Sequence, residues 1–492
     1  MPDRPHIVIF NPDQWRGEAL HHLGNPAAVT PNLDRLAQSD AVSFRWAFCQ
    51  NPVCTPSRCS FMTGWYPHVR GHRTMFHMLR PDEPVLLKQL KDAGYFVWWG
   101  GKNDLVPGQD SWEPYCDVHY SGPKPKTTWQ MHRRDEWRGD PGSDTFYSFY
   151  VGRLPTGDDD IYRDGDWVNV LGAVEQIRNR PADRPLCIFL PLTYPHPPYA
   201  VEEPWCSMID REAVPPRIPA PEDWSGKASL LKGIWETQNL QGWSEERWRE
   251  LRATYYGMCA RVDHQFGLVV EALQEAGIYE DTAIFFFADH GDYTGDYGLV
   301  EKTQNTFEDA LSRVPLLVKP PAGADVRPRV SDTLVELVDF PATVYDLTGI
   351  EPGYTHFGRS LLPLLAGETD EHRDAVFCEG GRLHGEDHCK ELESNEDPQG
   401  LYYPRLRYQF EEGPEHGKGV MCRTKDFKYV RRLYEQDELY DLRSDPQELH
   451  NVIEQPEYAD ALARLKDRLL TFFLETGDVV PHDADQRYFS SQ

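Results

Sequence analysis

The chain has 492 residues, 40% hydrophobic, 12% aromatic and 26% charged, a balance that excludes an extended disordered protein and suits one large domain with a smaller one. Asp and Glu outnumber Lys and Arg 79 to 51; the resulting charge of −28 repels nucleic acid and anionic membrane, so any anionic substrate needs a local cluster of cations. No run approaches the roughly 18 apolar residues of a membrane span, and ten cysteines without Cys-x-x-Cys spacing fit neither a disulfide scaffold nor a structural zinc module.

The first residues, Met1-Pro2-Asp3-Arg4-Pro5, show no basic and apolar leader pattern, so a cytoplasmic location is the expectation. Residues 6–10 are an apolar run that stops at Asn11-Pro12-Asp13-Gln14, the pattern of a buried strand ending in a polar loop. Thr30-Pro31 supplies an N-cap and a first-turn proline for a helix through Leu33, Leu36 and Ala37. Pro56 opens a second helix through Phe61 and Met62, closed by Gly64, which puts Cys54 at its amino end.

Helix and strand then alternate, at 85–93 and 95–99, and at 167–177 and 186–190. A long helix over 248–276 carries Tyr255, Cys259, Val262, Phe266, Val269 and Leu273 at alternating spacings of four and three, and 282–288 reads as a strand leading into Asp289-His290-Gly291. Pro- and Gly-rich stretches at 320–328 and 350–370 flank an expected helix over 333–347. Beyond a polar stretch at 380–418, strands are expected at 420–424, 428–433 and 438–442, and a helix at 458–474.

This order predicts an α/β fold: a large, mostly parallel sheet sandwiched by helices over residues 1–375, then a smaller antiparallel sheet with a packed helix over 376–492. Such sheets bind ligands beyond the carboxyl ends of their strands. Asp13 and Asp289 each follow a strand, so both are expected on one edge.

The sharpest local pattern is Cys54-Thr55-Pro56-Ser57-Arg58. Composition alone yields Cys-x-Pro-x-Arg about 0.08 times per chain even with every Lys counted as Arg, and the plainer reading of the cysteine is a buried thiol ahead of a helix. Its surroundings add to it: Thr30-Pro31-Asn32-Leu33-Asp34-Arg35-Leu36-Ala37 before, Thr63-Gly64-Trp65-Tyr66-Pro67-His68 after. Gly101-Lys102, Pro195-His196-Pro197-Pro198, Asp289-His290-Gly291 with Lys302, Arg313-Val314-Pro315 and Glu438-Leu439-Tyr440-Asp441-Leu442 follow in turn. In this order the segments resemble the type I sulfatases over nearly the whole chain.

The resemblance implies an alkaline-phosphatase-like fold and hydrolysis of a sulfate monoester through formylglycine, made from Cys54 by a formylglycine-generating maturation enzyme. An anionic ester needs cations around its oxygens and a nucleophile strong at neutral pH. A hydrated aldehyde offers two hydroxyls: one, deprotonated beside a divalent cation, attacks sulfur to give a covalent sulfo-enzyme, and loss of the other's proton expels sulfate.

By resemblance the metal ligands are Asp13, Asp289 and His290, with Gln14 a further candidate and the modified Cys54 also coordinating. The Asp-Gln and Asp-His pairs are similar to those of the branch containing choline sulfatases and phosphonate monoester hydrolases. Calcium is the expected ion and manganese the alternative, since an imidazole replaces a carboxylate of the usual calcium cage. Arg58 is expected to steady the aldehyde hydrate, Lys102 and Lys302 to clasp the sulfate, and His196 to protonate the leaving alcohol or hold sulfate.

Gly101-Lys102-Asn103-Asp104 departs from the Gly-Lys-Trp-His of many sulfatases and places a carboxylate where an imidazole would face the sulfate. Asp104 is therefore read as a substrate-specificity residue unless it turns toward Lys102. His68 and His72 are further candidates to reach the cleft, His72 as a substrate contact, and Trp98, Trp99, Trp112 and Trp129 as stacking faces for a sugar. The expected substrate is a small sulfated sugar or oligosaccharide, and choline sulfate is disfavoured by Asn103-Asp104. A phosphonate monoester or phosphodiester hydrolase, and a non-catalytic sulfated-glycan binder with unmodified Cys54, are the alternatives; a homo-oligomer is left open.

Overall fold

The structure is a computed structural model and describes residues 4–123, 135–155, 164–391 and 397–487. The opening apolar run forms β1 (His6–Asn11), followed in chain order by β2 (Val42–Phe48), β3 (Phe96–Trp99), β4 (Val118–His119), β5 (Tyr150–Arg153), β6 (Leu186–Pro191), β7 (Tyr199–Val201), β8 (Thr282–Phe287), β9 (Arg313–Val314), β10 (Leu316–Lys319) and β11 (Arg329–Glu336). Nine of these strands build one sheet in the order β11-β2-β10-β8-β1-β6-β3-β4, with β9 also on β2; β5 and β7 pair separately.

β1 runs parallel to β6 and β8, β3 parallel to β6 and β4, and β2 parallel to β11, while β10 is antiparallel to both β8 and β2. It follows that β1, β2, β3, β6 and β8 all point the same way and end on one edge. β1, β6 and β8 are buried at every position, as strands covered on both faces must be. Alternation divides the aromatics of β8 between two layers. Phe286 packs against Phe10 and against Phe266 of the long helix Glu245–Glu275, whereas Phe285 and Phe287 meet Phe340, and Phe287 also meets Phe61 of helix Cys54–Thr63.

The sheet is thus mostly parallel but mixed, because β10 reverses between β8 and β2. The helix expected over 333–347 is corrected: residues 333–336 belong to β11, and the helix is Asp339–Thr348. Pro341 gives the reason. It occupies the third helical position, where no intrahelical N–H is required, and a helix begun at 333 would hold it in the interior and lose a hydrogen bond there.

Near the carboxyl end, β12 (Val376–Gly380), β13 (Gly419–Arg423), β14 (Phe427–Arg432) and β15 (Glu438–Asp441) form an antiparallel sheet in that order. Helix Ala459–Thr476 buries Leu465, Leu469 and Phe472. Phe472 stacks on Phe377 of β12 at 3.9 Å and meets Tyr66 edge-on at 4.7 Å, which seats the small sheet beside the helix that begins at Cys54. At Gly380 a Cβ would lie 2.0 Å from the carbonyl of Gln304, so only glycine lets β12 approach the loop that follows Lys302. Among the described residues no helix is long and apolar enough to cross a membrane.

Candidate active site

Five strand ends supply the site. Asp13 lies two residues beyond β1, and Asn11 Nδ2 donates to the carbonyl of Phe287 at 2.8 Å, tying the ends of β1 and β8 together. Asp289 and His290 follow β8, and the Asp289 Oδ1 accepts from the backbone N–H of Gln14 at 3.0 Å. Lys102 follows β3 through Gly101, whose φ of 136° and a Cβ that would sit 2.0 Å from the Pro191 carbonyl both demand glycine. His196 lies in the loop after β6 and Lys302 in the loop after β8.

Cys54 is the first residue of its helix, 1% exposed, and every residue of that helix is buried. Its Sγ lies 3.2 Å from His290 Nε2, 3.4 Å from Lys102 Nζ and 3.6 Å from Asp13 Oδ1. Burial first, and the Asp13 carboxylate second, push the thiol well above its ordinary range, so unmodified Cys54 is a poor nucleophile here.

Ligand atoms of Asp13, Cys54, Asp289 and His290 all lie within 4.8 Å of one another, and all four residues are buried. The donor set suits a divalent cation. His290 Nδ1 donates to the Gly291 carbonyl at 2.9 Å, which leaves the Nε2 lone pair facing Asp13 at 3.6 Å and Asp289 at 3.8 Å, the tautomer a metal ligand requires. Burial also lowers the His290 pKa and keeps it neutral.

Cations surround this cluster. Arg58, 0% exposed, donates from Nε to Asp289 Oδ2 at 2.9 Å and from Nη2 to Asp13 Oδ2 at 3.1 Å, while its buried Nη1 has no hydrogen-bond partner among the described residues. Lys102 donates to Asp13 Oδ2. Burial alone would raise the Asp13 carboxyl; Lys102, His196 and Arg58 outweigh it and hold it well below the usual carboxylate range. Lys302 donates to Gln14 Oε1 at 2.7 Å, Glu301 Oε1 at 2.8 Å and His196 Nε2 at 2.9 Å. His196 Nδ1 donates to the Pro197 carbonyl at 2.6 Å, and burial followed by the Lys302 charge depresses its pKa far below the ordinary value.

Asp13, Cys54, Arg58, Lys102, His196, Asp289, His290 and Lys302 therefore converge, together with Gln14. The Gln14 oxygen is committed to Lys302 and its amide N–H to Asp292 Oδ2, so a metal-binding role for Gln14 requires giving up the first of these. Asp104 also lies here, 8% exposed, with Oδ2 2.9 Å from Lys102 Nζ and 3.7 Å from Arg58 Nε: it has turned toward Lys102.

The expectation that His72 faces the substrate is corrected. Its ring nitrogens are both taken, by the His77 carbonyl at 2.8 Å and Glu83 Oε2 at 2.9 Å, and the side chain is buried. His68 is tied in the same way to Glu379 and the Thr476 carbonyl. Trp98 and Trp99 are core residues of β3, Trp112 stacks on His119, and Trp129 lies outside the described residues. Three neighbours of the site went unseen in the sequence: Asp292, which accepts from Gln14, Glu301, which accepts from Lys302, and Arg405, whose Nη1 lies 3.4 Å from Glu301 Oε2. The first two adjoin motif residues, which was the available signal; Arg405 gave none.

A groove of about 860 Å³, lined by Arg4, His6, Arg180, Asp281 and Pro321, opens at the opposite edge where β1 and β8 begin. It lies at the opposite end of the parallel strands from Cys54 and from the strand ends where such sheets bind ligands.

The sheet order and the small antiparallel sheet beside it are those of the alkaline-phosphatase-like fold. Residues 5–350 match the sulfatase family, and residues 381–474 match the C-terminal region of N-sulphoglucosamine sulphohydrolase. The chain belongs to the sulfatase family and is a sulfuric ester hydrolase. Arylsulfatase K of Gallus gallus is 27% identical over 502 residues, covering 95% of this chain and 83% of that protein. Two solved structures share the fold. The phosphonate monoester hydrolase of Agrobacterium radiobacter superposes with a TM-score of 0.72 at 24% identity, covering 96% of each chain. A protein solved in complex with its substrate D-glucosamine-2-N,6-O-disulfate gives 0.72 at 18% identity, covering 96% of this chain and 98% of that one.

Proposed function

We propose that this enzyme hydrolyses the sulfate monoester of a small sugar or oligosaccharide, with formylglycine at position 54 and a divalent cation, calcium or alternatively manganese, held by Asp13, Asp289 and His290. The observation that carries the reading is Cys54 Sγ at a helix start within 3.6 Å of Asp13, His290 and Lys102 together. A formylglycine hydrate at this point would supply the hydroxyl that attacks sulfur, the cation making it acidic enough to do so.

The remaining work falls to the chain's own side chains. Arg58, with its unpartnered Nη1, orients residue 54, and Lys102 meets the sulfate oxygens from the side of β3. A proton is held between the Lys302 ammonium and His196 Nε2, 2.9 Å apart, and the leaving oxygen takes it as the sulfur–oxygen ester bond breaks. Residues 1–375 would form the catalytic unit and 376–492 a subdomain packed against its rim. A sugar substrate is favoured by the N-sulphoglucosamine sulphohydrolase match and by the disulfated glucosamine bound to one structural relative.

The Asp-Gln and Asp-His pairs make an aryl phosphonate monoester the rival substrate. Measuring kcat/KM for an aryl sulfate and an aryl phosphonate monoester, then screening defined sulfated saccharides, tests the proposal. A higher value for the sulfate supports it; preference for the phosphonate, or saccharide binding without turnover, overturns it.

A further inference from the structure

Glu301 immediately precedes Lys302 and has a φ of 70°, a left-handed backbone that glycine adopts freely and a glutamate resists. It is nevertheless 2% exposed, and its backbone N–H donates to the Tyr199 hydroxyl at 3.0 Å, which in turn donates to Asp292 Oδ1 at 2.7 Å. Adjacent side chains on an ordinary extended segment point apart; here the turned backbone folds the Glu301 carboxylate back alongside its neighbour's ammonium. A disfavoured conformation kept with a buried charge points to a use for that side chain.

The hydrogen bonds of Lys302 show what the use is. An ammonium has three donors, and the three acceptors around Lys302 are Glu301 Oε1, Gln14 Oε1 and His196 Nε2, at 2.7 to 2.9 Å. Glu301 and Gln14 are buried and fixed by further contacts, Gln14 through Asp292 and Glu301 through Tyr199, with Arg405 Nη1 3.4 Å from Glu301 Oε2. His196 is the only one of the three in a partly exposed position. Two donors are therefore pinned by buried side chains and the third is aimed at the partly exposed His196.

We infer that Glu301 is a positioning residue for the departing oxygen: it holds Lys302 so that the ammonium's third donor is presented to His196 and the leaving group. This inference rests on the sulfate-ester reading above. A carboxylate here acts through Lys302 and never touches the substrate, and Arg405 links its outer oxygen to the small subdomain.

The test uses phenyl sulfate, a poor leaving group, and 4-nitrophenyl sulfate, which departs without a proton, with wild-type enzyme, Glu301→Gln and Glu301→Asp. Glu301→Gln is expected to lose about tenfold or more in kcat on phenyl sulfate and less than about threefold on 4-nitrophenyl sulfate, with KM little changed, and Glu301→Asp to recover part of the loss. Equal fractional losses on the two esters, or no loss, overturn the inference and leave Glu301 a structural residue. If Glu301→Gln does not fold, Glu301→Gly, which relieves the backbone, carries the same comparison. Wild-type enzyme inactive on both sulfates but active on a phosphonate monoester contradicts the substrate reading instead, and the inference falls with it.

Discussion

Cys54 Sγ lies 3.2 Å from Nε2 of His290, 236 positions further along the chain. The contact exists because β2 and β8 run the same way and release their loops at one edge, and because the Gly291 carbonyl fixes the imidazole tautomer. If His290 holds the cation through this nitrogen, chelator-treated enzyme regains hydrolysis when calcium or manganese is returned. His290→Ala then needs more than about tenfold more metal for half-maximal activity. Activity titrations against free metal check this; an unchanged requirement would remove His290 from the ligand set.

Asp104 Oδ2 sits 2.9 Å from Lys102 Nζ and so offsets its charge, which in the proposed reaction would meet the sulfate. Asp104→His is expected to change the ratio of kcat/KM between an amine-bearing and a neutral sulfated sugar by about tenfold while leaving bound metal per chain unaltered. The readouts are paired kinetics and elemental analysis. A constant ratio with constant metal would reduce Asp104 to a counter-charge for Lys102.

Asp339 makes the pH dependence of stability measurable away from the reaction. Its buried carboxylate accepts from Arg373 Nε at 2.9 Å and from the Arg359 N–H at 2.8 Å, with His372 Nε2 at 3.0 Å. Burial opposes ionisation, but Arg373 and His372 outweigh it and leave the pKa below the ordinary value. The folded chain thus binds this proton less readily than the unfolded one, so the contribution is complete above about pH 4 and is lost as the pH falls through the lower folded pKa. Asp339→Asn should cost about 3 kcal/mol at pH 7, with the gap to wild type narrowing below pH 4. Denaturant unfolding at several pH values measures both.

The buried parallel strands were legible because residues covered on both faces leave a continuous apolar run, as in β1, β6 and β8. Pairing direction leaves no such trace, and the reversal of β10 became visible only in space. At the end of β11 the apolar residues Leu334, Val335, Leu337 and Val338 suit strand or helix equally, and Pro341 is a local clue to where the helix begins. The residues that the signature and strand-end motifs singled out lie together in space, since each follows a strand that ends on the same edge. His72 misled because nearness to the signature in sequence is not nearness to Cys54: Glu83 draws its ring away. Glu301 adjoins Lys302, but the letters Glu-Lys do not announce the left-handed backbone that turns one side chain onto the next.

The central claim is that position 54 carries an aldehyde. Mass spectrometry of the Cys54-containing peptide, from enzyme produced together with a formylglycine-generating enzyme, should show a species about 18 Da lighter than the thiol form, its abundance rising with sulfatase activity. Full activity from chains that retain the unmodified thiol would contradict the account.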